Sequence, residues 1–195
     1  MHKGIVHHFP NLYEDLAKVP DFRRKSEYDM RAILLGAISL FLFKEGSRNS
    51  FNLDRAQEKF SKNYEQIFGL PLPHMDTVTR VLERLSEEHL EKLKEVLIQS
   101  LLDRRVFHKF RLFKKHFKIS IDATGLYSFD KEPYPGCPFR KYKKKKVWLQ
   151  PVLEAKLITE NGFSVSIATE WILNGKQYDK QDCERKAFVL SLIHI

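Results

Sequence analysis

The residue with the clearest chemical promise is Asp122, set in the alternating stretch Ile-Ser-Ile-Asp-Ala-Thr-Gly from Ile119 to Gly125. The stretch reads as a buried strand, and a buried carboxylate needs a partner: a hydrogen bond, a base or a metal. Hard ions such as Mg²⁺ or Mn²⁺ take carboxylate oxygens, and a strand holds such an oxygen rigidly. Two-ion phosphodiester chemistry recruits carboxylates from several places, to activate the attacking oxygen and steady the leaving one. Asp130, Glu132, Glu154, Glu170 and Asp182 are further acids within reach, and no spacing selects among them. Capping a turn with Thr124 or pairing with a lysine are the plainer structural roles open to Asp122.

Two basic segments flank that strand. The first carries Arg104, Arg105, Lys109, Arg111, Lys114, Lys115 and Lys118 without one acid, and Phe107, Phe110, Phe113 and Phe117 interleave with them. The spacing of those phenylalanines suits one packed face better than base stacking. The second, Phe-Arg-Lys-Tyr-Lys-Lys-Lys-Lys-Val-Trp, presents Arg140, Lys141, Lys143, Lys144, Lys145 and Lys146. Clustered cations bind phosphates by releasing counterions, without reading sequence. A solvated basic loop is the bland alternative, and two such segments around one carboxylate favour phosphate.

The formal net charge of +9 over 195 residues agrees with a polyanionic partner, nucleic acid before anionic membrane. A hydrophobic fraction of 43% with 30% charged residues describes a folded chain, not a disordered one. Two distant cysteines, Cys137 and Cys183, argue against a disulfide scaffold or zinc ribbon and suit a reducing cytosol. The N-terminus lacks a signal peptide's apolar core, and His7 and His8 have no accompanying ligands there. The longest apolar run, Ala32 to Phe43, is too short to span a bilayer, so no membrane partner is expected. No phosphate-cradling Gly-rich loop, Gly-x-Ser-x-Gly or His-Glu-x-x-His occurs, which argues against nucleotide hydrolases, serine hydrolases and zinc proteases.

The elements that must position these residues change character near Lys109. Before it, the patterning is helical. Ser26 to Asp29 resembles a capping box opening the apolar helix, a second helix fits Ser50 to Phe60, and Asp76 is placed to cap a third after Pro71 and Pro73. Ser86 opens a fourth, with Leu90, Leu93, Val96, Leu97, Leu101 and Leu102 on its stripe. A helix-turn-helix with Thr77 to Leu85 as recognition helix and an ordinary bundle both fit this pattern. After Lys109, three strands are expected: Lys118 to Phe129, Val147 to Ile158 with a bulge or edge at Pro151, and Phe163 to Ile172 beyond an Asn161-Gly162 hairpin turn. A polar helical stretch follows from Lys176.

Four segments in this order resemble the bacterial insertion-sequence transposases of the DDE type: Leu72 to Leu85, Ile119 to Phe129, Val152 to Ile172 and Lys180 to Phe188. The resemblance implies an α+β chain. A helical DNA-binding region (1–110) would precede the first three antiparallel strands of an RNase H-like catalytic domain (111–189). It places Asp122 as the first catalytic aspartate, a ligand to Mg²⁺ or Mn²⁺ in metal-dependent cleavage of DNA and strand transfer into a target. The partners implied are element-end and target DNA, with a homo-oligomer assembled on them, in the bacterial cytoplasm.

The departures are equally definite. The family's second aspartate and its glutamate lie beyond the helix that Lys180 begins, and Glu154, Glu170 and Asp182 do not take their places. The family pattern stops at Phe188, and Leu190 to Ile195 resembles translated sequencing adapter. The expectation is therefore a fragment, inactive by itself. The competing expectation is a non-catalytic basic DNA-binding protein, with a nuclease on the same fold as a weaker third.

Overall fold

A computed structural model describes residues 2–143 and 145–172. It shows an α+β chain that divides into two compact units, 1–104 and 105–195. Asp182, the helix expected from Lys176 and the tail from Leu190 lie outside the described residues, as does Lys144.

The first unit comprises α1 (His2–His8), α2 (Leu12–Ala17), α3 (Met30–Leu42), α4 (Arg48–Ala56), α5 (Glu58–Phe68), α6 (Met75–Leu82) and α7 (Glu87–Asp103). Its core joins Leu16, Ile33, Phe51, Tyr64, Phe68, Met75 and Val78, all buried. Fully burying each such side chain is worth roughly 1.5–3 kcal/mol. α3 supplies the apolar run, and Gly36 lets it approach the next layer. A Cβ there would stand 3.2 Å from Cδ of Pro73. Buried Ser39 on the same helix donates to the Tyr64 hydroxyl at 3.3 Å. Among the described residues no helix is long and apolar enough to cross a membrane.

Three helix boundaries differ from the sequence expectation. The α3 cap is Asp29, not Ser26; its carboxylate accepts from the Ala32 amide at 2.9 Å, filling an orphan donor and facing the positive helix end. The helix expected over Ser50 to Phe60 is broken at Gln57, whose extended backbone (φ −79°, ψ 118°) ends α4 and starts α5. α6 is capped by His74, whose Nδ1 accepts from the Asp76 amide at 3.3 Å. Asn52 completes that helix start by accepting from the Met75 amide at 2.8 Å. The helix therefore starts ahead of Asp76, and its first donors, the Met75 and Asp76 amides, are met by two other side chains.

The second unit opens with a 3-10 turn (His108–Phe110) and holds β1 (Lys118–Phe129), β2 (Phe139–Tyr142), β3 (Lys145–Ile158) and β4 (Ser164–Trp171). All pair antiparallel in one four-stranded sheet. β3 is central: β1 runs along one of its edges, while β2 and then β4 share the other. β2 was not expected; it arises because the lysine-rich segment folds back as a hairpin on the start of β3 rather than remaining a loop. Pro151 is tolerated inside β3 by its place. β2 pairs as far as Trp148 and β4 starts at Val152, and the Pro151 carbonyl accepts from Ile172 at 3.1 Å. The missing proline N–H thus faces the gap between those two strands. On the β1 side the register slips between Gly125 and Tyr127, a bulge that leaves Leu126 unmatched. The β3–β4 hairpin closes through Gly162 at φ +80°.

The sheet has two unlike faces. Opposed residues share a face, so Ile121, Ala155 and Ala168 lie on one, and Asp122, Glu154 and Thr169 on the other. Leu153, Ala155, Leu157 and Ala168 on the first face are buried. β1 itself is exposed along nearly its whole length.

Candidate nucleic-acid interface and acidic face

Asp122 is on a strand, as its alternating neighbours require, but it is not buried. Its face is the polar one, shared with Ser120 and Thr124, and the side chain is exposed. The expectation of a buried carboxylate is corrected by that alternation: the isoleucines, not the aspartate, point toward the covered side. Asp122 Oδ1 accepts from the Ala123 amide at 2.9 Å. Glu154 stands directly opposite on β3. Side chains of such a cross-strand pair begin about 5 Å apart at Cβ. Sequence spacing could not select Glu154, because only the register of β1 on β3 brings the two acids together.

Two carboxylates on a face open to solvent fit a single Mg²⁺ or Mn²⁺, which keeps several waters and accepts phosphate oxygens as further ligands. Lys156 Nζ, 2.8 Å from Glu154 Oε2, competes for that oxygen. Glu170 pairs with Leu153 and so lies on the opposite face, and Asp130 is held by Lys145 at 2.7 Å. That hydrogen bond and the lysine charge keep the Asp130 carboxyl below its usual range. Glu132 accepts from the Gly136 amide at 3.2 Å. Among the described residues no group of three His, Cys, Asp or Glu side chains comes together. The pair of Asp122 and Glu154 is thus short of the carboxylate set that a two-ion site requires.

The second basic segment is a hairpin with a built-in conflict. Lys141 and Lys146 face one another across β2 and β3, a like-charge pair that disfavours the strand pairing. The aromatic rings of Phe139 and Trp148 beside them are 6.2 Å apart, and Lys146 Nζ stands 4.8 Å over Phe139. Alternation along β3 puts Lys146, Trp148 and Glu154 on one face. Eight residue steps along the strand take Lys146 to Glu154, about 26 Å. Arg140 points to the other face, Lys145 is engaged by Asp130, and Lys143 occupies the turn at φ +46°. A phosphate chain laid along the shared face would relieve the Lys141–Lys146 repulsion and run toward Asp122.

The first basic segment falls into separate pieces. Arg104 caps α7 in the helical unit, whereas Arg105 opens the sheet unit at φ +58°. Lys109 Nζ and the Arg111 guanidinium each stand 4.8 Å over a ring, Phe110 and Phe117 respectively. His108 packs edge-on to Phe117, and desolvation followed by the charges of Arg111 and Arg105 lowers its pKa. Phe107 is 3% exposed, as the packed-face expectation requires, but Phe113 is 81% exposed. Lys114 and Lys115 follow it at the tip of a short turn closed by Leu112 and His116.

The helical unit adds cations that sequence reasoning did not select. Arg23, Lys25, Arg80 and Arg84 line a groove of about 260 Å³ together with Phe22 and Thr77. Arg84 lies 4.9 Å over the Phe22 ring, and Arg23 bridges Asp21 and the Tyr28 carbonyl. Arg48 reaches across to Thr79 on α6 at 2.7 Å. The available signal was the i,i+4 pair Arg80 and Arg84 at the end of α6, the helix that buries Val78 and Val81. Comparison of the chain with family models, curated proteins and solved structures returned no match.

Proposed function

We propose that this chain is part of a DNA transposase of the DDE type, with an RNase H-like sheet that carries the first metal-binding aspartate. In the intact enzyme, Mg²⁺ or Mn²⁺ on Asp122 would support cleavage of a phosphodiester bond and transfer of the freed strand to target DNA. The observation that carries the reading is the shared face of the sheet: Asp122 opposite Glu154, with the paired lysines Lys141 and Lys146 along the same side. That arrangement suits a polyanionic strand leading to a cation. The cationic groove beside α6 offers the helical unit its own phosphate contacts. DNA at the element ends and target is the partner, engaged by multimers of the chain in a bacterial cytoplasm.

A specific contact favours a second reading, a non-catalytic DNA-binding protein. Lys156 already neutralises Glu154, as an ion pair with a purely structural role would require. Two measurements on the full chain separate the readings. Binding to a duplex should weaken steeply with salt in both, by about 0.9 in log–log slope per phosphate contacted. Retention of Mn²⁺, read by its electron paramagnetic resonance signal, should occur in the wild type and vanish in Asp122→Ala under the transposase reading. Wild-type protein that binds DNA but retains no Mn²⁺ would leave the DNA binder standing. With Mg²⁺ and element-end DNA, the chain by itself should make no cut, since the described residues bring no group of three metal-ligating side chains together. Nicking abolished by Asp122→Ala would overturn that expectation.

A further inference from the structure

The turn between Leu112 and His116 has backbone geometry that its residues do not favour. Leu112 and His116 exchange both backbone hydrogen bonds, at 2.7 and 3.0 Å, leaving Phe113, Lys114 and Lys115 at the tip. Phe113 has φ +52° and Lys114 φ +60°. Glycine or asparagine adopts this region readily; a bulky aromatic does so rarely. Strain of this kind persists where the surroundings impose it, and it concentrates at binding sites. Its result here is specific. Phe107 is buried, while Phe110 and Phe117 are each covered by a cation, yet Phe113 stands 81% exposed directly ahead of two lysines.

We propose that Phe113 is a stacking residue for an unpaired nucleobase, held out by a strained turn whose Lys114 and Lys115 grip the flanking phosphates. An exposed ring offers its π-face to any base, and neighbouring cations anchor the backbone beside it. A base inside a duplex is already stacked, so the preferred partner is DNA with a single-stranded end or an extruded base. The inference rests on the DNA-binding reading above and specifies what the sheet unit recognises.

The test uses the full chain and two fluorescein-labelled probes of equal length, one a blunt duplex and one carrying a single-stranded extension, read by fluorescence polarisation. Wild-type protein should prefer the extended probe by roughly tenfold. Phe113→Ala should lose that preference while still binding the blunt probe, and Phe113→Trp should keep it. Lys114→Gln with Lys115→Gln should weaken both probes and flatten the salt dependence. An unchanged preference in Phe113→Ala overturns the stacking role alone. Wild-type protein that binds neither probe overturns the DNA-binding reading together with it. Phe113→Gly suits the positive φ and removes the ring, so intact folding with lost preference assigns the effect to stacking rather than to the turn.

Discussion

The two units bury their apolar residues very differently. In the helical unit Phe51, Tyr64 and Phe68 are almost completely enclosed, and these three rings from α4 and α5 pack around Phe43. In the sheet unit, a cluster of Leu153 and Ile172 with half-buried Ile121 stands in place of such a core among the described residues. A well-packed interior fixes structure, whereas a sheet with one solvated side leaves charged and aromatic groups available to a ligand. The first unit is thus the more closely packed and the second the more open, and the Asp122–Glu154 pair sits on the second.

The largest effect that would sharpen this contrast comes from truncating matched apolar side chains. Phe51→Ala should destabilise the helical unit by about 3–5 kcal/mol, the range for emptying a closed aromatic site. Ile121→Ala should cost no more than about 1.5 kcal/mol, because part of that side chain already meets water. Urea unfolding followed by helical circular dichroism measures the first, and tryptophan fluorescence from Trp148 and Trp171 reports the second. Equal losses at the two sites would erase the distinction.

A smaller effect concerns Tyr64, whose hydroxyl is pushed up to about 12 by burial. A raised folded value means that the associated stability is fully present below the unfolded value near 10 and is lost as pH rises through 12. The helical unit should therefore weaken by about 3 kcal/mol between those limits. Tyr64→Phe should remove this alkaline step, at the expense of the Ser39 hydrogen bond. Denaturation midpoints measured across that range decide the matter. The smallest effect belongs to Asp122→Asn. Since the side chain is exposed, thermal stability should change by no more than about 0.5 kcal/mol. A large loss would show that the carboxylate is structural after all.

Much of this architecture is visible in particular residues. Alternation from Lys118 to Phe129 gives β1 its limits and assigns Asp122 to the side opposite the isoleucines, even though the strand is more exposed than its apolar content suggests. Asn161-Gly162 marks the β3–β4 turn through the conformational demand at Gly162. Other features depend on contacts between distant positions. No proline or glycine announces the break at Gln57, and Asn52 serves α6 across 23 residues. β2 was hidden because Phe-Arg-Lys-Tyr has little β-branched content, and it pairs in spite of its charges. The Asp122–Glu154 pairing was illegible for a related reason: register across a sheet is a tertiary property. Phe113 could be separated from the other three phenylalanines only by its exposure and the sign of its φ angle, neither of which spacing reveals.

The extra residue at Leu126 has an outcome that reaches beyond local geometry. Ahead of it, odd-numbered positions of β1 belong to the apolar side; past it, Tyr127 and Phe129 align with Gln150 and Trp148 and so change sides. Two rings that uninterrupted alternation would have hidden are thereby lined up with the acid, the paired lysines and the indole. Loss of that one codon would straighten the strand yet leave both rings opposite Gln150 and Trp148, whereas regular pairing with Leu126 kept in register would return them to the far surface, with Asp122 itself left unaltered.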